Sequence, residues 1–206
     1  KVEIVRELSN HQPGKAELVA PEDGIVEVSV LPMFDWKYAI DEDNDKLSYT
    51  VCYSLDKNDW KTCSTTEQNY YMLTTPLETN TKYYWKIIAT DDNGGRSESD
   101  IRSFTTSSTE AYQDGEKYLY QTHSKGNRGV RLVILGDGFL PYHFEKGGVF
   151  DNAAKRAVEG LFSAEPYKTY RKYFDVYQVA AYSKEEGASI RKSGAEIVNR
   201  DTRFNV

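Results

Sequence analysis

Few residues in this chain have types and spacing that bear on chemistry. The stretch "RLVILGDGFLPYHF", residues 131–144, runs four apolar residues into Gly136-Asp137-Gly138, then an aromatic residue and Pro141. A glycine-rich turn after a strand could cradle a phosphate, hold a metal or simply end the strand. The dinucleotide turn needs a third glycine where Pro141 stands, and no acidic partner follows at the usual distance. A phosphate loop needs Gly-Lys-Ser/Thr, and a nucleophile elbow needs Gly-x-Ser-x-Gly; neither occurs. The remaining reading is structural: the glycines permit a sharp exit from a strand, and Asp137 satisfies free backbone N–H groups.

Metal-binding patterns are equally sparse. His11, His123 and His143 are scattered, and none has a second histidine three to five residues away. Zinc ligation is therefore not written locally, and these histidines read as exposed or packed. Asp41-x-Asp43-x-Asp45 has the start of a calcium loop, but Lys46 replaces the sixth-position glycine and Cys52 the twelfth-position glutamate. It reads as a solvated turn, and no cofactor is expected in this chain. Tyr167, Tyr170, Tyr173 and Tyr177 have the look of a carbohydrate platform. At their spacing the reading is that they pack a helix and a strand together.

Cys52 and Cys63 flank a hairpin, "YSLDKNDWKT". With Asp56–Asp59 as the loop, Leu55 faces Trp60 and Cys52 faces Cys63, close enough for a disulfide. Two reduced thiols are the alternative. A bond would suit a secreted, periplasmic or cell-surface protein.

These residues must be positioned by elements of two kinds. Residues 15–107 alternate between short β-patterned runs and turn signals, with no helical stretch. Leu47, Tyr49, Val51 and Tyr53 mark one strand, and Tyr83, Trp85 and Ile87 another. This pattern predicts an antiparallel sandwich. Residues 1–14 form a leader. Residues 108–128 are polar and turn-rich and read as a linker, with Tyr118 and Tyr120 as candidate packing or short-strand residues. From Gly129 the pattern becomes α/β. "VRLVILG" reads as a strand buried on both faces. Phe150, Ala153, Ala154, Ala157, Val158, Leu161 and Phe162 form one helical face. A short helix with Pro166 in its first position follows, then a strand in "FDVYQVAAYS". The two strands should be parallel. Lys184–Val206 shows no clear element.

Composition sets outer bounds. The chain has 206 residues, 28% of them charged, a net charge of −6 and 16 tyrosines. It can bury a core. Its acidity argues against a nucleic-acid partner, which requires a basic stripe. No apolar run approaches the roughly 20 residues of a membrane span. Lys1 in first position reads as the start of a mature or trimmed piece.

Two resemblances add to this reading. "FDWKYAIDEDNDKLSYTVCYS", with Leu77, Thr81, Tyr83 and Trp85 and the closing Ser103–Thr106, resembles the fibronectin type III-like domains of secreted bacterial proteins. The implied fold is a fibronectin III/immunoglobulin-like sandwich over 15–107. Residues 129–206 resemble the start of the catalytic domain of the IgA-peptidase family of secreted zinc metallopeptidases. The matching pieces are Gly136-Asp137-Gly138-Phe139, Leu161-Phe162-Ser163, Glu165-Pro166-Tyr167, Tyr173–Tyr177 and Ser183–Gly187.

The resemblance implies an incomplete zincin-like α/β subdomain whose zinc comes from a His-Glu-x-x-His helix. That motif is absent from these residues. Zinc is thus implied for a longer parent, and no catalytic or metal-ligating residue carries over to this chain. The implied partner is a protein substrate, immunoglobulin or another host or dietary protein. The alternative function is a cell-surface adhesion module binding carbohydrate or protein. A nucleotide-dependent α/β enzyme beginning at 129 is a third reading. One strand–helix–strand unit cannot cover both faces of its sheet, so it should expose apolar surface, dimerise or dock on the sandwich.

Overall fold

The computed structural model describes residues 9–122, 129–187, 190–191 and 197–204. The chain divides into two compact units. One comprises residues 1–28, 32–72 and 80–107, and the other residues 29–31, 73–79 and 108–206.

The first unit is a β-sandwich. One sheet contains β1 (Glu17–Ala20), β3 (Met33–Lys37) and β6 (Tyr70–Met72) in the order β1-β3-β6. The other contains β2 (Ile25–Val28), β4 (Leu47–Ser54), β5 (Thr62–Thr66), β7 (Lys82–Asp91), β8 (Arg96–Glu98) and β9 (Arg102–Thr106). Its order is β2-β9-β7-β4-β5, with β8 also on β7. The pairings are antiparallel except β2 with β9, which is parallel. The apolar stretch "IVEVSVLPMFDW", residues 25–36, is split between the sheets, β2 going to one and β3 to the other.

Alternation decides what the sandwich buries. Trp36 and Phe34 from β3 face Tyr49, Val51, Trp85, Ile87 and Phe104 from the larger sheet, and all seven are at most 1% exposed. Phe34 lies 5.1 Å from Trp85 between ring centroids, and Trp36 lies 5.6 Å from Tyr49. Rings from both sheets therefore fill one layer, the arrangement that period-2 patterning produces. β4 and β5 align Cys52 with Cys63, and the two form a disulfide with Cα atoms 4.2 Å apart.

The second unit holds β10 (Lys117–Thr122), β11 (Val130–Leu135), α1 (Val149–Ser163), α2 (Tyr167–Tyr170), β12 (Phe174–Val179), β13 (Ile190–Arg191) and β14 (Ile197–Val198). β11 and β12 are parallel, and β10 joins β12 antiparallel in the order β10-β12-β11. β13 and β14 pair as a small hairpin in a stretch whose sequence showed no element. β10 corrects the linker reading: part of 108–128 is a strand of this sheet, held by β12.

The reading of β11 as buried on both faces is also corrected. It is an edge strand, with Val130, Val133 and Leu135 56%, 47% and 49% exposed. Its other residues, Leu132 and Ile134, pack with Tyr120 and Phe174 against Val158, Phe162 and Val176. One face of the sheet is thus covered by α1. On the opposite side of the strand Val133 and Leu135 meet solvent. α1 buries Phe150, Ala154, Val158 and Phe162. Ala157 is exposed, so the buried stripe is narrower than the seven-residue face expected; one small sheet cannot cover more. Pro166 caps α2 rather than occupying its first turn.

Candidate functional site

The strand-exit loop can be built from β11 onward. Gly136 donates its N–H to the Val179 carbonyl at 3.2 Å, closing the end of the β11–β12 pair. A Cβ at this position would lie 2.7 Å from the Phe144 ring and 3.1 Å from that of Phe150. Both rings are at most 1% exposed, and Phe139 and Tyr182 complete the cluster. Glycine is required because aromatic rings rest directly on the backbone. Gly138 has a φ of +75°, and a Cβ there would sit 2.3 Å from the Gly187 carbonyl oxygen. The two backbones meet instead through the Gly187 N–H, which donates to the Gly138 carbonyl at 2.9 Å.

Asp137 is occupied by its own chain. One carboxylate oxygen accepts from the Phe204 N–H at 3.1 Å, and the other from the Thr202 hydroxyl at 3.2 Å. Ser183 Oγ accepts from the N–H groups of Gly138 (2.9 Å) and Arg203 (3.1 Å). Lys184 pairs with Asp201, and Arg203 with Asp114. The loop is therefore a fastening point: its amides and carboxylate hold residues 183–187 and 201–204. A phosphate would find the Gly138 amide already engaged.

His143 is 7% exposed. Its Nδ1 accepts from the Leu140 N–H at 3.1 Å, which fixes the proton of the neutral ring on Nε2. Burial holds its pKa below the usual value, opposed by Glu186, whose carboxylate lies 3.8 Å from Nε2. His11 sits at the surface, where its ring contacts Asp43 at 3.1 Å. His123 lies outside the described residues. Among the described residues the grouping of three metal-ligating side chains is Asp41, Asp43 and Asp45, all carboxylates. This is not a donor set for catalytic zinc, which takes imidazole nitrogen. The grouped residues among those described do not fit that ion.

Sequence reasoning missed a second feature. Tyr112 and Tyr118 stack with centroids 4.0 Å apart, and Tyr118 donates to Asp151 Oδ1 at 2.6 Å. The Gly147 N–H donates to Asp151 Oδ2 at 2.6 Å, and Tyr112 is 3.5 Å from the same oxygen. Fully buried Gln178 abuts the Tyr118 hydroxyl. Desolvation, then the Asp151 carboxylate, pushes the Tyr118 hydroxyl far above the usual tyrosine range. The group is a permanent donor that ties β10 and β12 to the start of α1. It borders a shallow cavity of about 350 Å³ reaching Asn152 and Lys155. The local signals were Tyr118, a candidate packing residue, and Asp151 in the first turn of a helix.

The tyrosine reading is corrected for Tyr170 and Tyr173 but not for Tyr177, which is half-buried in β12. Tyr167, Tyr170 and Tyr173 are 43%, 53% and 51% exposed. The Tyr167 ring still meets that of Phe174 in β12 at 6.3 Å between centroids, whereas Tyr170 and Tyr173 lie largely in solvent. Tyr170 and Tyr173 lie 6.1 Å apart.

Residues 119–205 match the family model described as IgA Peptidase M64. The match covers less than half of the chain. It begins inside β10 and takes in β11, α1, α2 and β12, so the M64 segment extends ten residues ahead of the resemblance seen from Gly129. No curated protein matches the chain. Among solved structures, the sixth fibronectin type III domain of human fibronectin type III domain containing protein 3 is similar at 14% identity. The alignment covers 52% of this chain and 94% of that one, with a TM-score of 0.37. A fibronectin type-III domain of the same human protein is similar at 22% identity, over 49% and 92% of the two chains, with a TM-score of 0.38. Beta-1,2-glucanase from Parabacteroides distasonis is similar at 22% identity, over 48% and 13%, with a TM-score of 0.35. Among the described residues no helix is long and apolar enough to cross a membrane.

Proposed function

We propose that this chain is part of a secreted, zinc-dependent endopeptidase of the M64 type, carrying a fibronectin III-like accessory sandwich. The observation that carries the reading is the M64 match over 119–205. It falls on the strand–helix–strand unit, whose strands β11 and β12 are parallel. In this reading the unit is the metal-free portion of a zincin-like domain. Its role is to fasten a sheet that supports a zinc-binding helix elsewhere in the protein. These 206 residues contain no His-Glu-x-x-His, so they are inactive by themselves.

The Cys52–Cys63 disulfide supports a secreted, periplasmic or cell-surface location, because such bonds persist in oxidising compartments. The substrate class is protein. The exposed apolar side chains of β11 support association of two copies when the chain is isolated. Light scattering should then give a mass that rises with concentration, and a monomer throughout rejects that point.

The test is the gene downstream of codon 206, followed by assay of the full-length product. His-Glu-x-x-His within roughly 100 residues, stoichiometric zinc and chelator-sensitive proteolysis are the expected results. A product ending near residue 206, or proteolysis indifferent to chelators, overturns the reading. Glycan or host-protein binding by the protein without any proteolysis would instead favour the adhesion module.

A further inference from the structure

We propose that Asp41, Asp43 and Asp45 form a site for one hard divalent cation of the calcium class. The site lies in the sandwich unit and is independent of the peptidase reading. One ligand atom from each carboxylate lies within 4.8 Å of the others. Clustering alone would describe many solvated acidic turns. The deciding observation is the state of Asp41. It is 9% exposed, and its Oδ2 is buried with no hydrogen-bond partner. Oδ1 accepts from the N–H groups of Asp43 and Asp45, which leaves the second oxygen to be answered by something else. A buried carboxylate oxygen with no donor is costly unless a cation or another polar group meets it.

The surroundings supply little positive charge. Lys46, which stands at the sixth position in place of glycine, turns its ammonium to Glu67 at 2.6 Å. It therefore does not neutralise the three aspartates. His11 contacts Asp43 only, holding that carboxyl below its usual range through hydrogen bonds. Asp45 Oδ2 accepts from the Asn93 side chain at 2.7 Å. Asp41 and Asp45, with Asn44, line one shallow cavity of about 390 Å³ that is open to solvent. An all-oxygen donor set with an open approach suits a cation that accepts irregular geometry and completes its shell with carbonyls and water, as calcium does.

Calorimetric titration of the 206-residue chain with calcium chloride, after chelator treatment, tests this directly. One saturable site per chain is expected, with a thermal unfolding midpoint that rises with calcium. Asp41→Asn keeps an oxygen for the two loop amides but removes the charge, and Asp45→Asn does the same across the cavity. Each should weaken calcium binding at least tenfold. If Asp41→Asn does not fold, Asp45→Asn decides by the same criterion. No saturable heat and no midpoint shift at millimolar calcium overturns the proposal. So does a folded variant that loses less than tenfold.

Discussion

The two units use aromatic residues differently. In the sandwich, rings from facing sheets meet in a closed layer, and Phe34, Trp36 and Trp85 are completely buried. In the second unit one helix covers one face of a three-stranded sheet. The edge strand leaves Val133 and Leu135 in solvent, and Tyr167, Tyr170 and Tyr173 stand exposed. The first unit closes its own core. The second is held together at its loop ends, through Asp137 and Asp151, as much as by its apolar cluster. A sheet covered on one side has fewer apolar contacts to give, so polar fastenings carry more of its order.

This contrast can be broken by experiment. The largest effect is expected from Phe34→Ala, about 3–5 kcal/mol of sandwich stability, since a closed layer cannot collapse around the cavity. Phe162→Ala, on the covered face of the second unit, should sit at the low end of that range because its neighbours border solvent. Equal losses in chemical denaturation would remove the distinction. Replacing both Cys52 and Cys63 with alanine should cost the sandwich about 2–3 kcal/mol, the loop-closure estimate for 11 residues of separation. The second unit's transition should not move.

Next is Gly138→Ala, about 1–3 kcal/mol for the left-handed backbone alone, with the Gly187 clash added. Its signature is faster hydrogen exchange at 183–187 and 201–204, and unchanged exchange there would show that the loop is not a fastening. The smallest effect concerns His143. Its folded pKa is lowered, so as pH falls the unfolded chain takes up the proton first, near 6.5. Stability of the second unit should therefore drop below pH about 6.5, and His143→Gln should flatten that part of the pH profile.

Much of the architecture could be read from residue order. The alternation in 47–53 and 83–87 marked the inward faces of β4 and β7, and the spacing of Cys52 and Cys63 put them opposite each other, with disulfide and free thiols both open. The parallel pairing of β11 with β12 followed from strand, helix and strand in succession. The candidate loop was legible as a place but not as a device. Asp137 is fastened by Thr202 and Phe204, some 65 residues away, and no local pattern announces partners at that distance. The tyrosine run misled because periodicity reports which residues share a face, and not whether anything covers that face.

Sequence by itself determined the local choices: which residues alternate, where glycine and proline interrupt, and that the stretch after Gly129 differs in kind from the sandwich. Those depend on short-range sterics and on the period of apolar residues. Tertiary structure alone decided that β10 joins the second sheet and that β11 is an edge. It also decided that Gly136 lies beneath the Phe144 ring and that Asp41 keeps an oxygen buried without a donor. These are matters of what lies opposite a residue in space, and solvent exclusion is a property of the packed whole.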